Sequence, residues 1–69
     1  MKKKFLKFLE EEEFVDTSTN EQIQFNADRY TLKLEDNNWE NICFDLYIDN
    51  TYVTETTTVK RLKKILELL

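Results

Sequence analysis

The 69-residue chain has no glycine, no proline and no histidine, and only one cysteine, one methionine and one tryptophan. Each absence removes a class of chemistry. Without histidine there is no base for a catalytic triad and no imidazole to ligate a metal. Without glycine there is no loop whose backbone can close on a phosphate as nucleotide enzymes require. Cys43, being alone, forms no internal disulfide and gives no sign of an oxidising compartment. Long apolar runs are also missing. Met1 to Leu9 begins basic and then apolar, in the manner of a signal peptide, but Lys7 interrupts the apolar part and Glu10 to Glu13 close it, short of the roughly 7 to 15 apolar residues of a secretory segment. Nothing approaches the roughly 20 apolar residues of a membrane span. The expectation is a soluble, intracellular protein.

What is present is a chain able to fold. Hydrophobic residues make up 41% and aromatic residues 13% of it, too much for a disordered tail. Its length allows one core, so residues 1–69 are read as a single domain. Phe, Ile, Lys, Asn and Tyr, whose codons are rich in A and T, number 26, whereas Gly, Ala, Arg and Pro together number 3. That skew points to an A+T-rich genome of the kind found in low-G+C bacteria, their phages and their plasmids.

The periodicity changes twice along the chain. Residues 2 to 13 place Phe5, Leu6, Phe8 and Leu9 on one side at helical spacing. The charges of this helix oppose its dipole, with lysines first and glutamates last, so tertiary packing must hold it. Asp16 to Asn20 read as a polar loop. From Gln22 the period becomes two: Ile23 and Phe25, then Tyr30, Leu32 and Leu34, alternate with polar residues. In the longest strand Ile42, Phe44, Leu46 and Ile48 occupy one face, while Cys43, Asp45, Tyr47 and Asp49 occupy the other. Tyr52 to Thr57, rich in β-branched residues, returns beside it. In place of glycine, Asp36, Asn37 and Asn38 mark one turn and Asp49 with Asn50 another, because asparagine and aspartate tolerate positive φ. Thr56, Thr57 and Thr58 offer N-caps for a final helix carrying Val59, Leu62, Ile65, Leu66 and Leu69 on one face and Lys60, Arg61, Lys63 and Lys64 on the other. The predicted fold is α+β: an N-terminal helix, an antiparallel meander of three or four strands and a C-terminal amphipathic helix, in the order α-β-β-β(-β)-α.

Charge is divided along the chain. Residues 1–9 carry four lysines, residues 10–58 carry 13 acids against Arg29 and Lys33, and residues 59–69 carry four cations against Glu67. An acidic middle of this kind either solubilises a small sheet or meets a basic partner. Asp45 and Asp49 flank Tyr47 on the outward face, and residues two apart on a strand stand roughly 6.8 Å from each other, similar to adjacent phosphates. Tyr47 and Tyr52 become cross-strand neighbours if the loop between them is the two residues Asp49 and Asn50. Exposed tyrosines of this sort serve either as interface anchors or as cross-strand packing. Trp39, beside a turn, reads as a lid on the core. No cofactor is expected, and no metal: Glu10 to Glu13 point around a helix, while Asp45 and Asp49 lie two strand repeats apart. The candidate partner-binding residues are Glu35, Asp45, Tyr47, Asp49, Tyr52 and Glu55, with no catalytic residue among them.

In length, acidity, lone α+β domain and lack of a catalytic motif, the chain resembles the small inhibitor proteins of phages and mobile elements, anti-CRISPR proteins and DNA mimics among them. The resemblance covers the whole chain and rests on no motif, so no residue is carried over. It implies a non-catalytic, cytoplasmic protein in a bacterial host that binds a nuclease or other nucleic-acid enzyme and blocks its substrate groove. Direct nucleic-acid binding is not expected, because Glu67 and the acidic sheet oppose it, nor is a membrane contact. The alternative is a structural or regulatory homo-oligomer, such as a homodimer, joined through its sheet edge or a helix face.

Overall fold

The computed structural model describes all 69 residues as two helices packed on one face of a five-stranded antiparallel sheet. The order is α1 (Lys2–Glu11), β1 (Val15–Asp16), β2 (Gln24–Ala27), β3 (Tyr30–Leu34), a 3-10 turn (Glu35–Asn37), β4 (Phe44–Ile48), β5 (Thr51–Thr56) and α2 (Val59–Leu68). Neighbours in sequence are neighbours in the sheet, so the topology is a plain meander. The α-β-α order therefore stands, and the first apolar strand joins the sheet through the pairs Phe25↔Leu32 and Gln24↔Lys33.

One strand lies where a loop was expected. Val15 and Asp16 pair with Asn26 and Phe25, and Thr17 N–H continues the ladder to the Gln24 carbonyl at 2.9 Å. Periodicity cannot announce a strand of two residues. The remaining loop is held by short polar side chains: Ser18 N–H donates to Asp16 Oδ1 at 2.9 Å, and Thr19 Oγ1 accepts from the N–H groups of Glu21 and Gln22, each at 3.2 Å.

The core is built from the inward residues of both layers. Phe5, Phe8 and Leu9 of α1 and Leu62 of α2 are buried against Phe25, Leu32, Leu34, Ile42, Phe44 and Leu46. Phe44 is its centre, with its ring centroid 5.2 Å from Phe5, 6.2 Å from Phe25 and 5.8 Å from Trp39. Half-buried Trp39 closes the cluster as a lid, and Lys2 Nζ lies 5.1 Å from its ring centroid, which ties the start of α1 to the β3–β4 connection. Leu6, Val59, Ile65 and Leu66 pack against the rim of this core and are only half-buried, and Leu69 is exposed.

Without glycine, left-handed backbone falls to other residues: Glu13, Asp28, Asp36, Asn37, Asp49 and Asn50 all have φ between 51° and 66°. Five of the six are Asp or Asn, the types that tolerate this region best. Glu13 is the exception. It ends α1 in a Schellman arrangement, in which Phe14 N–H reaches the Leu9 carbonyl at 2.8 Å and Glu13 N–H reaches that of Glu10 at 3.0 Å. At the other helix Thr58 is the N-cap, its Oγ1 accepting from Arg61 N–H at 3.1 Å.

Candidate functional site

Both helices lie on one side of the sheet, so its other face is open, and the meander register arrays the outward side chains in rows across the strands. One row runs Asn26, Thr31, Tyr47, Tyr52; the next runs Gln24, Lys33, Asp45, Glu55. Glu35 and Cys43 follow, linked where Glu35 N–H donates to the Cys43 carbonyl at 2.9 Å.

The side chains over β1 to β3 form a closed polar network. Gln24 Nε2 donates to Asn26 Oδ1 at 3.1 Å, Asn26 Nδ2 donates to Thr31 Oγ1 at 2.7 Å, and the Thr17 hydroxyl donates to Asn26 Oδ1. These groups satisfy one another. The surface over β4 and β5 has a different character. Tyr47 and Tyr52 pack edge to face with centroids 5.8 Å apart, as the two-residue turn at Asp49 and Asn50 requires. Lys33 Nζ sits 4.6 Å from the Tyr47 ring centroid. Beside this pair one ligand atom from each of Glu35, Cys43, Asp45 and Glu55 lies within 4.8 Å of the others. Cys43 Sγ faces Glu55 Oε2 at 3.6 Å.

The β4–β5 pairing is what brings Tyr52 and Glu55 to the same face. Leu46 pairs with Thr54 but Tyr47 pairs with Tyr52, so Val53 is an extra residue in a bulge. In a regular strand, residues three apart face opposite sides. The bulge cancels that alternation and places Tyr52 beside Tyr47 and Glu55 beside Asp45, both outward.

Electrostatics follow from the crowding. The Glu35 carboxyl is raised above its ordinary value of 4.5, chiefly through its hydrogen bond with Asp45, while a hydrogen bond with Cys43 acts in the opposite sense. The Cys43 thiol is pushed up to about 12, first by burial and then by Glu35 and Glu55, so at neutral pH it is a protonated thiol and a poor nucleophile. The Tyr52 hydroxyl is raised as well, by partial desolvation first and then by the charges of Glu55, Asp45 and Glu35. The molecule has one ion pair, Arg29 with Asp49 at 2.6 Å. Glu35, Asp45 and Glu55 therefore face outward with no salt bridge of their own.

The structure brings together Glu35, Asp45, Tyr47, Tyr52 and Glu55, and separates Asp49 from them. Asp49 is a turn residue with φ 51°, engaged by Arg29, at the end of the sheet opposite Glu35. The expected row of Asp45 and Asp49 is thus corrected to a knot of carboxylates gathered from β4, β5 and the turn that follows β3. Four residues of strand put Asp45 and Asp49 roughly 13 Å apart in any case, which is no phosphate spacing. The acidic middle of the chain is not the sheet alone, since Glu10 and Glu11 belong to α1 and Glu12 and Glu13 to its C-terminal turn.

Sequence reasoning set Cys43 on the face of Asp45 but left it out of the site, and it missed the convergence itself. Mixed oxygen and sulfur donors at this separation are a set that a divalent cation can use. The signal that was available was the shared outward phase of Cys43, just before β4, and Asp45 on it. The lacking information was the register that sets Glu35, just after β3, and Glu55, on β5, beside Cys43 and Asp45.

Fold and face together define a small open-faced α+β protein whose uncovered sheet carries a tyrosine pair and an unpaired carboxylate cluster. No family model, curated protein or solved structure matches this chain. No helix is long and apolar enough to cross a membrane.

Proposed function

We propose that this protein is a non-catalytic binder that attaches through the outer face of β4 and β5 to a basic, nucleic-acid-handling enzyme and obstructs its substrate groove. The observation that supports this reading is the pairing of uncompensated charge with exposed aromatic area. Glu35, Asp45 and Glu55 have no cation within salt-bridge distance, and Tyr52 is 52% exposed beside them. A groove that binds phosphates offers lysines and arginines that such a cluster attracts, and tyrosines add contact area at small cost in side-chain entropy. The face is held by hydrogen-bonded strands and needs no rearrangement to present these groups, which favours tight stoichiometric association over turnover. The corrected geometry makes the cluster a single anchor for a cation and not a row of phosphate substitutes.

The test is competition. A target enzyme captured from a bacterial lysate is loaded with a DNA duplex, and displacement by this protein is followed as salt is raised. Displacement that weakens as the Debye length shortens from about 10 Å at 0.1 M to about 3 Å at 1 M supports the proposal. Asp45→Lys together with Glu55→Lys should abolish it with the fold intact, while Asp49→Lys should leave it unchanged. A complex that forms equally well with DNA already seated rejects groove obstruction.

A further inference from the structure

The sheet ends on two unlike edges. β1 is two residues long, whereas β5 runs for six, from Thr51 to Thr56. β5 pairs with β4 on one side and with nothing on the other, and no backbone hydrogen bond outside the regular ladder involves it. About half of its N–H and C=O groups therefore face solvent as an open ladder. Protein edges are ordinarily blunted by lysine, proline or a bulge. β5 has neither lysine nor proline, and its one bulge, at Val53, leaves Thr54, Glu55 and Thr56 in regular register. Tyr52, Val53 and Glu55 are exposed along it.

Charge selects the occupant. A second copy brings its own net charge of -4 and, paired antiparallel at this edge, sets two carboxylate clusters near each other with no cation in either β5. A strand bearing lysine or arginine meets the opposite situation, because Glu55 lacks an ion pair and lies in one row with Asp45.

We propose that β5 is a docking edge to which an extended basic segment of the partner adds as a sixth strand, with a lysine or arginine placed opposite Glu55 on the outer face. This rests on the reading of that face as the surface for a basic partner and specifies how the partner is gripped. Backbone ladder bonds supply sequence-independent affinity, and the outward side chains set register. The added strand lies about 4.8 Å beyond β5, so its cation extends the row of Lys33, Asp45 and Glu55 by one position. Its neighbouring outward position falls beside the Tyr52 ring.

The probes are short synthetic peptides: one alternating lysine and valine, one alternating glutamate and valine, and a lysine–valine peptide N-methylated at successive central amides. The last keeps its charge but can build no ladder on either edge. Amide exchange and chemical shifts are followed on the full chain. The lysine–valine peptide should slow exchange of the solvent-facing amides between Thr51 and Thr56, and the other two should not. Glu55→Lys should weaken its binding about tenfold, the sum of an attraction lost and a repulsion gained, and Glu55→Gln, which only removes charge, should fall between. Equal binding of the N-methylated peptide, or protection on the helices in place of β5, overturns the proposal. So does protection of β5 that grows with protein concentration without peptide, which assigns the edge to a second copy. Protection of β5 without displacement of DNA from a captured target keeps the edge and rejects the groove; displacement with β5 unprotected does the reverse.

Discussion

Phe44→Ala removes the ring on which Phe5, Phe25 and Trp39 converge, at centroid separations of 5.2, 6.2 and 5.8 Å. Phe44 is fully buried, on a central β4 flanked by two strands, and α1 lies across it. The site has little freedom to collapse, so the loss should fall at about 3 to 5 kcal/mol, transfer and cavity costs together. At about 0.05 to 0.15 kcal/mol per residue the whole domain holds roughly 3 to 10 kcal/mol, so the variant should be largely unfolded or close to it. If it still folds, its midpoint should drop by at least about 12 °C, at about 4 °C or more per kcal/mol for this size. Far-UV circular dichroism against temperature and urea gives the stability. Fluorescence of Trp39, the only tryptophan, reports whether the lid has come off. Tyr47→Ala is the internal control: three residues along the same strand, facing outward and packed on one ring, it should cost only about 1 kcal/mol. A Phe44→Ala protein that melts within a few degrees of the parent, or a Tyr47→Ala protein that loses as much, would refute the assignment of inner and outer faces.

Further consequences concern strain and titration. Glu13→Gly should stabilise by about 1 kcal/mol in urea unfolding, since it relieves a left-handed residue with a Cβ at the end of α1; a loss would show that the Glu13 side chain contributes more than its backbone costs. The raised Glu35 carboxyl disfavours its ionised form in the fold, so this group erodes stability as pH climbs from its ordinary 4.5 through the higher folded value. Glu35→Gln should remove that slope and exceed the parent in melting temperature near pH 7, with the gap closing below pH 4.5; parallel pH curves would refute it. Asp16, lowered from 3.8 by its hydrogen bonds with Ser18, acts in the opposite sense: its contribution is present above 3.8 and is lost as pH falls through the folded value. Cys43 should resist iodoacetamide at pH 8 far longer than a free thiol, and its contribution to stability should be lost between pH 9.0 and about 12, a decline that Cys43→Ser removes.

The sequence alone determined the face assignments, because amphipathic period is a local property. Phe44 and Leu46 had to face inward with Asp45 and Tyr47 outward, and the final helix had to bury Leu62, whatever the topology. Turn chemistry was legible in large part: with glycine absent, Asp36, Asn37, Asp49 and Asn50 take positive φ as expected, whereas Asn38 stays extended at φ -104° and Asp28 takes left-handed backbone without having been singled out. Asp49 misled, because continuing the alternation of β4 one residue too far counted a turn residue as part of the outward row. The candidate site itself was a matter of register between strands, which is set by long-range pairing. Glu35 joins Cys43 and Asp45 because its N–H continues the ladder to the Cys43 carbonyl. Glu55 and Tyr52 share a face only because one extra residue, Val53, bulges between their pairings with β4. No alternation rule applied to β5 alone places both outward, since a period of two sends residues three apart to opposite sides; the insertion that reverses this exists only in the paired sheet.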